Sequence, residues 1–111
     1  MGRERPAAGL VQGTLEMLIL RRLLRGPMHG WGIARDIRAT SGDVLRVEEG
    51  SLYPALRRLE GDGDVVAEWA PSENNRRARF YAIARRGRRR LEREQQQWRG
   101  LVHAIGRVLE A

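Results

Sequence analysis

Glu48-Glu49-Gly50-Ser51-Leu52-Tyr53-Pro54-Ala55-Leu56-Arg57-Arg58-Leu59-Glu60, closed by Gly61-Asp62-Gly63-Asp64, reads as a helix with two unlike faces and a stop signal. At about 100° per residue, Leu52, Ala55, Leu56 and Leu59 fall on one side. Tyr53, Pro54, Arg57 and Arg58 fall on the other. Ser51 is placed to cap the helix, and the acids before it favour the positive end of the helix dipole. Pro54 is expected in the first turn, where its missing N–H has no partner to lose. A helix that buries leucines and leaves a tyrosine and two arginines outside has a face available to a ligand.

Downstream, Val65 to Trp69 alternates like a strand, and Arg79 to Ile83 reads as its return. Between them Ala70 to Ala78 is expected to form a long loop containing Asn74, Asn75, Arg76 and Arg77. Upstream, Leu15, Leu18, Ile19, Leu23 and Leu24 recur at helical spacing from Thr14, an expected N-cap, to the stop at Gly26-Pro27. A second helix follows Gly30, with Ile33, Ala34 and Ile37 on one face and Ser41-Gly42 at its end. A short extended connector, residues 43–47, leads back to Ser51. Residues 84–110 form a last, long helix. Its apolar positions Leu91, Trp98, Leu101, Ile105 and Val108 step in near-heptads, broadened by Val102 and Leu109.

The predicted fold is therefore mainly α with a small β-hairpin, in winged helix-turn-helix order. Residues 1–11 are expected to be a flexible arm, 12–83 the winged domain, and 84–111 a C-terminal dimerisation helix. So short a chain has little with which to cover the apolar stripe of its last helix, so a homodimer is expected.

The chain has 111 residues and a formal charge of +7, and all 21 of its basic residues other than histidine are arginine. The excess is localised. Residues 76–93 hold nine arginines against Glu92, whereas residues 1–75 hold ten arginines against eleven acids. Phe80-Tyr81-Ala82-Ile83 interrupts the basic run with strand-forming residues, which places part of that charge on ordered structure. Arginine's planar fork suits phosphate oxygens and guanine edges, so a nucleic acid is the expected partner.

Cysteine is absent, which excludes disulfides, thiol catalysis and cysteine zinc sites. Two scattered histidines leave no metal cluster, and no phosphate loop or catalytic triad is recognisable, so neither an enzyme nor a cofactor is expected. No secretory signal or membrane-length apolar run is present, and the expected location is the cytoplasm.

Four segments in order resemble the PadR family of bacterial transcriptional regulators. They are Gly13-Thr14-Leu15-Glu16 with Leu18-Ile19-Leu20, then Gly26-Pro27-Met28-His29-Gly30-Trp31-Gly32-Ile33. Gly50-Ser51-Leu52-Tyr53-Pro54-Ala55-Leu56 with Arg58-Leu59-Glu60 is the third, and the wing from Trp69 to Tyr81 the fourth. The length is similar to the short subfamily, without a larger C-terminal domain. The resemblance implies a homodimer paired through the last helix with help from the first, bringing Leu15 to the interface with Leu91, Trp98, Leu101, Val102, Ile105, Val108 and Leu109. It also implies inverted-repeat double-stranded DNA as partner, repression, and release by a small-molecule effector. Two positions depart from the family pattern: Asn75 stands where a wing-tip glycine is common, and Ala84 where Thr or Ser often precedes the last helix.

On these grounds the expected DNA-binding residues are Ser51, Tyr53, Pro54, Arg57, Arg58, Asn74, Asn75, Arg76, Arg77 and Arg79. His29 is read as packing against or capping the second helix, or as a phosphate donor, Trp31 and Trp69 as packing residues, and the cluster Arg85 to Arg90 as a solubilising helix start or a further DNA contact. Trp98 is read as an interface residue or, as the resemblance implies, a stacking surface for a planar aromatic effector. Two other functions remain open at this point: a basic winged helix that grips RNA by shape, and a helical adaptor that binds no ligand.

Overall fold

A computed structural model describes residues 13–111; the expected arm, residues 1–11, lies outside them. The elements are α1 (Thr14–Leu23), β1 (Met28–His29), α2 (Gly30–Thr40), α3 (Glu49–Gly61), β2 (Val65–Pro71), β3 (Arg77–Ile83) and α4 (Arg85–Leu109). Three helices, a hairpin and a trailing long helix reproduce the winged helix-turn-helix order.

The periodicity of each helix decides what it buries. Ile19, Leu20 and Leu23 of α1, Ile33 and Ile37 of α2, and Leu52, Ala55, Leu56 and Leu59 of α3 meet in one core. Val65 and Tyr81 close it from the sheet, and Leu91 from α4. Fully burying a leucine or isoleucine contributes about 1.5–3 kcal/mol, so this cluster is the main favourable term holding α3 in place.

The sheet has three strands, in the order β1-β3-β2, all antiparallel. The two-residue β1 was not foreseen, because a strand that short has no periodicity of its own. It exists through pairing of Met28 with Tyr81 and His29 with Phe80, which ties the start of α2 to the wing. The wing strands also run further than expected. Ala70 pairs with Ala78 and Pro71 with Arg77, so the expected nine-residue loop shrinks to residues 72–76. Pro71 is tolerated because β2 is an edge strand and its missing N–H interrupts no inner ladder.

Two caps differ from expectation. Gly13, not Thr14, occupies the N-cap of α1, in left-handed geometry. Ser51 does not cap α3; the helix begins two residues earlier at Glu49, with Glu48 at the N-cap and no side-chain cap. Pro54 is consequently the sixth helical residue, and the Gly50 carbonyl loses its i+4 donor. His29 does cap α2: its Nδ1 accepts from the Gly32 N–H at 2.9 Å. Ala84 stands at the N-cap of α4 without a side-chain bond.

α4 is fastened to the domain by a buried charge cluster that sequence reading missed. Arg90 donates to Glu16 of α1 at 2.6 Å, to Asp64 before β2 at 2.8 Å and to Glu94 at 2.8 Å. Glu16 also accepts from Arg58 at 2.6 Å. Gly87 makes the approach possible, since a Cβ there would run into the Asp64 carbonyl. Beyond this junction α4 leaves the domain, and Trp98, Leu101, Val102, Ile105, Val108 and Leu109 are 40–77% exposed. Leu91, placed by the heptad pattern in the same seam, is instead taken up by the chain's own core and is closed to a partner.

Candidate nucleic-acid interface

The outer face of α3 and the wing converge on a cleft of about 400 Å³. Tyr53 enters it from α3, Trp69, Arg77 and Arg79 from the wing strands, Asn74 and Arg76 from the turn, and His29 and Trp31 from the start of α2. The sequence explains the wing's shape. Asn75 adopts φ 62°, a left-handed conformation open to asparagine at modest cost. The Asn75 N–H donates to the Ser72 carbonyl at 2.9 Å, and the Ser72 N–H donates to the Arg76 carbonyl at 2.7 Å.

Eight of the ten expected contact residues divide into two groups. Ser51, Arg57, Asn74, Asn75, Arg76 and Arg77 are exposed, and Arg57, Arg76 and Arg77 have no carboxylate partner among the described residues. Arg58 and Arg79 are exposed as well but engaged, Arg58 with Glu16 and Arg79 with Glu60 at 2.7 Å. Pro54 is half-buried at the shoulder of α3.

Tyr53 is packed and exposed at once. Its ring lies so close to α2 that a Cβ at Gly30 would stand 2.8 Å from it, yet 37% of the residue remains open. Burial, together with the Glu49 charge, pushes its phenol upward, so at neutral pH it is an uncharged hydroxyl able to donate.

Trp31 and Trp69 correct the sequence reading: they are 56% and 58% exposed and pack little. Each instead carries an arginine over its ring, Arg35 at 4.7 Å from Trp31 and Arg77 at 5.7 Å from Trp69. His29 stacks on Trp31 at 5.7 Å. An exposed aromatic beside a strand is a weak signal on its own. Their shared side of the molecule becomes visible only with the β1–β3 pairing.

One acid interrupts this basic, aromatic surface. Glu73, at the wing turn, accepts from His29 Nε2 at 3.2 Å and lies 3.7 Å from Arg35. Its own backbone N–H, then the His29 bond and nearby charges, hold its carboxyl below the usual range, so it is ionised at neutral pH. Were this surface to take duplex DNA, Glu73→Gln is expected to tighten binding by roughly two- to tenfold and to steepen the salt dependence, because one acid leaves the basic surface and Arg35 is then held only by Asp36, at 3.4 Å. Fluorescence anisotropy across a salt series checks this. Weaker binding would instead mean that the carboxylate's main service is holding the wing to α2.

Elsewhere, Trp98 lines a shallow hollow of about 260 Å³ with Gly13, Thr14, Met17, Glu94, Gln97 and Leu101. Leu15 is half-buried against the core. In the cluster at the start of α4, Arg85, Arg88 and Arg89 are exposed, whereas Arg90 is structural. Among the described residues no group of three or more His, Asp or Glu is placed to hold a metal, and no helix is long and apolar enough to cross a membrane.

A recognition-type helix beside an arginine-tipped hairpin defines a winged helix-turn-helix protein of the regulator type. Comparison with known proteins makes the class specific: residues 19–93 match the transcriptional regulator PadR-like family, and the chain belongs to that family. It is similar to a PadR family transcriptional regulator from Eggerthella lenta, with 33% identity and a TM-score of 0.75 over 90% of this chain and 85% of that one. It is also similar to a transcriptional regulator from Clostridium thermocellum, with 25% identity and a TM-score of 0.79 over 86% and 93% of the two chains. In sequence it is 38% identical over 96 residues to a 37.1 kDa protein in transposon TN4556 of Streptomyces fradiae. That match covers 86% of this chain but only 25% of the relative's length.

Proposed function

We propose that the chain is a homodimeric, sequence-specific DNA-binding regulator that represses transcription from an inverted-repeat operator in the cytoplasm. The observation that carries this reading is the division of its arginines. Arg22, Arg58, Arg79 and Arg90 are each bound to a carboxylate within 2.7 Å, whereas Arg76 and Arg77, which line the cleft, and Arg57, on the outer face of α3, have none among the described residues. Charge left uncompensated on ordered structure is suited to an external polyanion. In this reading α3 enters the major groove with Ser51, Tyr53 and Arg57. The wing tip lays Arg76 and Arg77 along the adjacent minor groove, where narrow A·T segments concentrate negative potential. A two-fold dimer then reads half-sites about one helical turn, roughly 34 Å, apart.

Anisotropy on DNA from upstream of the gene tests the reading. Arg76→Ala combined with Arg77→Ala is expected to weaken binding about 10–100-fold and to reduce the salt slope by about two. Unchanged binding removes the wing from the interface. A structured RNA that outcompetes the duplex operator reverses the assignment in favour of RNA. Retained dimers with no sequence preference favour the adaptor.

Release by an effector belongs to the same proposal. The hollow beside Trp98 is where a planar aromatic compound would stack between subunits. Quenching of tryptophan fluorescence that disappears in Trp98→Ala supports that site, and quenching that persists excludes it.

A further inference from the structure

We infer that a second hollow, an open groove bordered by α1, α2 and the connector into α3, is a binding site for an aliphatic carboxylate of medium chain length. It has a volume of about 390 Å³ and is lined by Leu18, Leu24, Ile37 and Leu45, with Arg21 and Arg25 among its polar residues. It shares no lining residue with the wing cleft or with the hollow beside Trp98.

The lining selects the ligand. Its apolar residues are all aliphatic, so nothing offers a stacking surface and a flexible hydrocarbon fits better than a planar ring. The charge around it selects an anion. Asp36 is already satisfied by Arg22 at 2.6 Å, with Arg35 at 3.4 Å. Arg25 reaches Asp36 only at 3.8 Å with its side chain 62% exposed, and Arg21 has no carboxylate partner among the described residues. An apolar pocket with a few polar groups at its edge is the usual form of a small-molecule site, and two arginines not held by a close carboxylate suit the head group of an amphipathic acid.

Its position gives occupancy a route to α3. Leu45 is fixed through its N–H, which donates to Ser41 Oγ at 2.9 Å, and that hydroxyl donates to the Arg38 carbonyl at 3.0 Å. Three residues later Glu48 forms the N-cap of α3. A chain that displaces Leu45 therefore moves the segment that sets the entry of α3. This transmission rests on the reading of α3 as the DNA-contacting helix; the binding itself does not.

Sodium decanoate, below its micellar concentration, is the probe for calorimetry on the full chain. Binding is expected at a Kd on the order of 100 µM, as suits a ligand of this size. It should weaken about tenfold in Arg21→Glu combined with Arg25→Glu, and be blocked in Leu18→Trp, with folding of both checked by circular dichroism. Absence of binding heat, or binding unaltered in both variants, overturns the site. Binding seen only in a dimer-deficient variant also overturns it, because the hollow would then belong to a partner subunit. In anisotropy, decanoate should lower operator affinity for the unmodified chain and not for the arginine variant. Binding with no change in operator affinity overturns the transmission. A chain that binds no operator at all fails the proposed function, while the calorimetry still decides the site.

Discussion

Arg90→Met is expected to cost the fold about 3–5 kcal/mol, the range seen when one partner of a buried ion pair is removed. Among the described residues Arg90 is the only side chain that joins Glu16 and Asp64, two carboxylates whose side chains are 9% and 3% exposed. Methionine keeps much of the stem's volume, so the loss is electrostatic more than steric. Both acids lose a donor while remaining shielded from water, and α4 loses its charged tie to α1, keeping the apolar one through Leu91. Urea unfolding followed by circular dichroism measures the effect as a lower midpoint. A shift under 1 kcal/mol would show that water reaches the cluster freely. Adding Glu16→Leu to Arg90→Met should recover part of the loss, because a buried carboxylate left with Arg58 alone is then gone.

The same cluster fixes an acid dependence. Burial opposes ionisation of Glu16, but donation from Arg58 and Arg90 and their charges outweigh it, leaving its carboxyl below the ordinary 4.5. A carboxylate with a depressed folded pKa stabilises the fold above its unfolded pKa. That contribution is lost as pH falls through the folded value. Stability of the unmodified chain should therefore decline below about pH 4.5, and this component should shrink in Arg90→Met.

The arginine-rich segment also shows where sequence reading stops. The winged order, the core faces of α2 and α3 and the boundaries of α4 follow from periodicity, which is local and strong. In α1, by contrast, the periodic Leu15, Leu18 and Leu24 are only half-buried, and Leu20, fully buried, falls outside that periodic set. The charge run 76–93 locates the basic surface but not the roles inside it. Arg90 and Arg89 are neighbours with identical chemistry. Only the helix phase relative to Glu16, 74 residues away, makes one structural and leaves the other exposed. The β1–β3 pairing is equally non-local, and with it the placement of Trp31 and Glu73 on the candidate interface. In the sequence Asn75 is only a departure from the family's wing-tip glycine; its φ of 62° keeps the left-handed turn that a glycine would supply.

Ile105→Asp is expected to break the proposed dimer while leaving each chain folded. Ile105 lies near the middle of the exposed seam from Trp98 to Leu109 and contributes nothing to the core cluster. An isolated amphipathic helix face of this kind gains by pairing with its copy. Each well-buried side chain contributes about 1.5–3 kcal/mol, against roughly 4–15 kcal/mol of association cost. Because a two-fold interface is self-complementary, one substitution places two aspartates in it. Desolvating each unpaired carboxylate costs several kcal/mol, and every 1.4 kcal/mol is tenfold in affinity, so dimer affinity should fall at least about 1,000-fold. Sedimentation analysis should show a monomer with unchanged helical content and an unfolding midpoint no longer dependent on concentration. The operator then sees single winged domains in place of two linked ones. Loss of the link removes an effective local concentration worth roughly 100- to 10,000-fold, so a half-site should be bound almost as weakly as a full inverted repeat. A variant that stays dimeric with full operator affinity would move the interface away from this seam, to a surface that α4 does not provide.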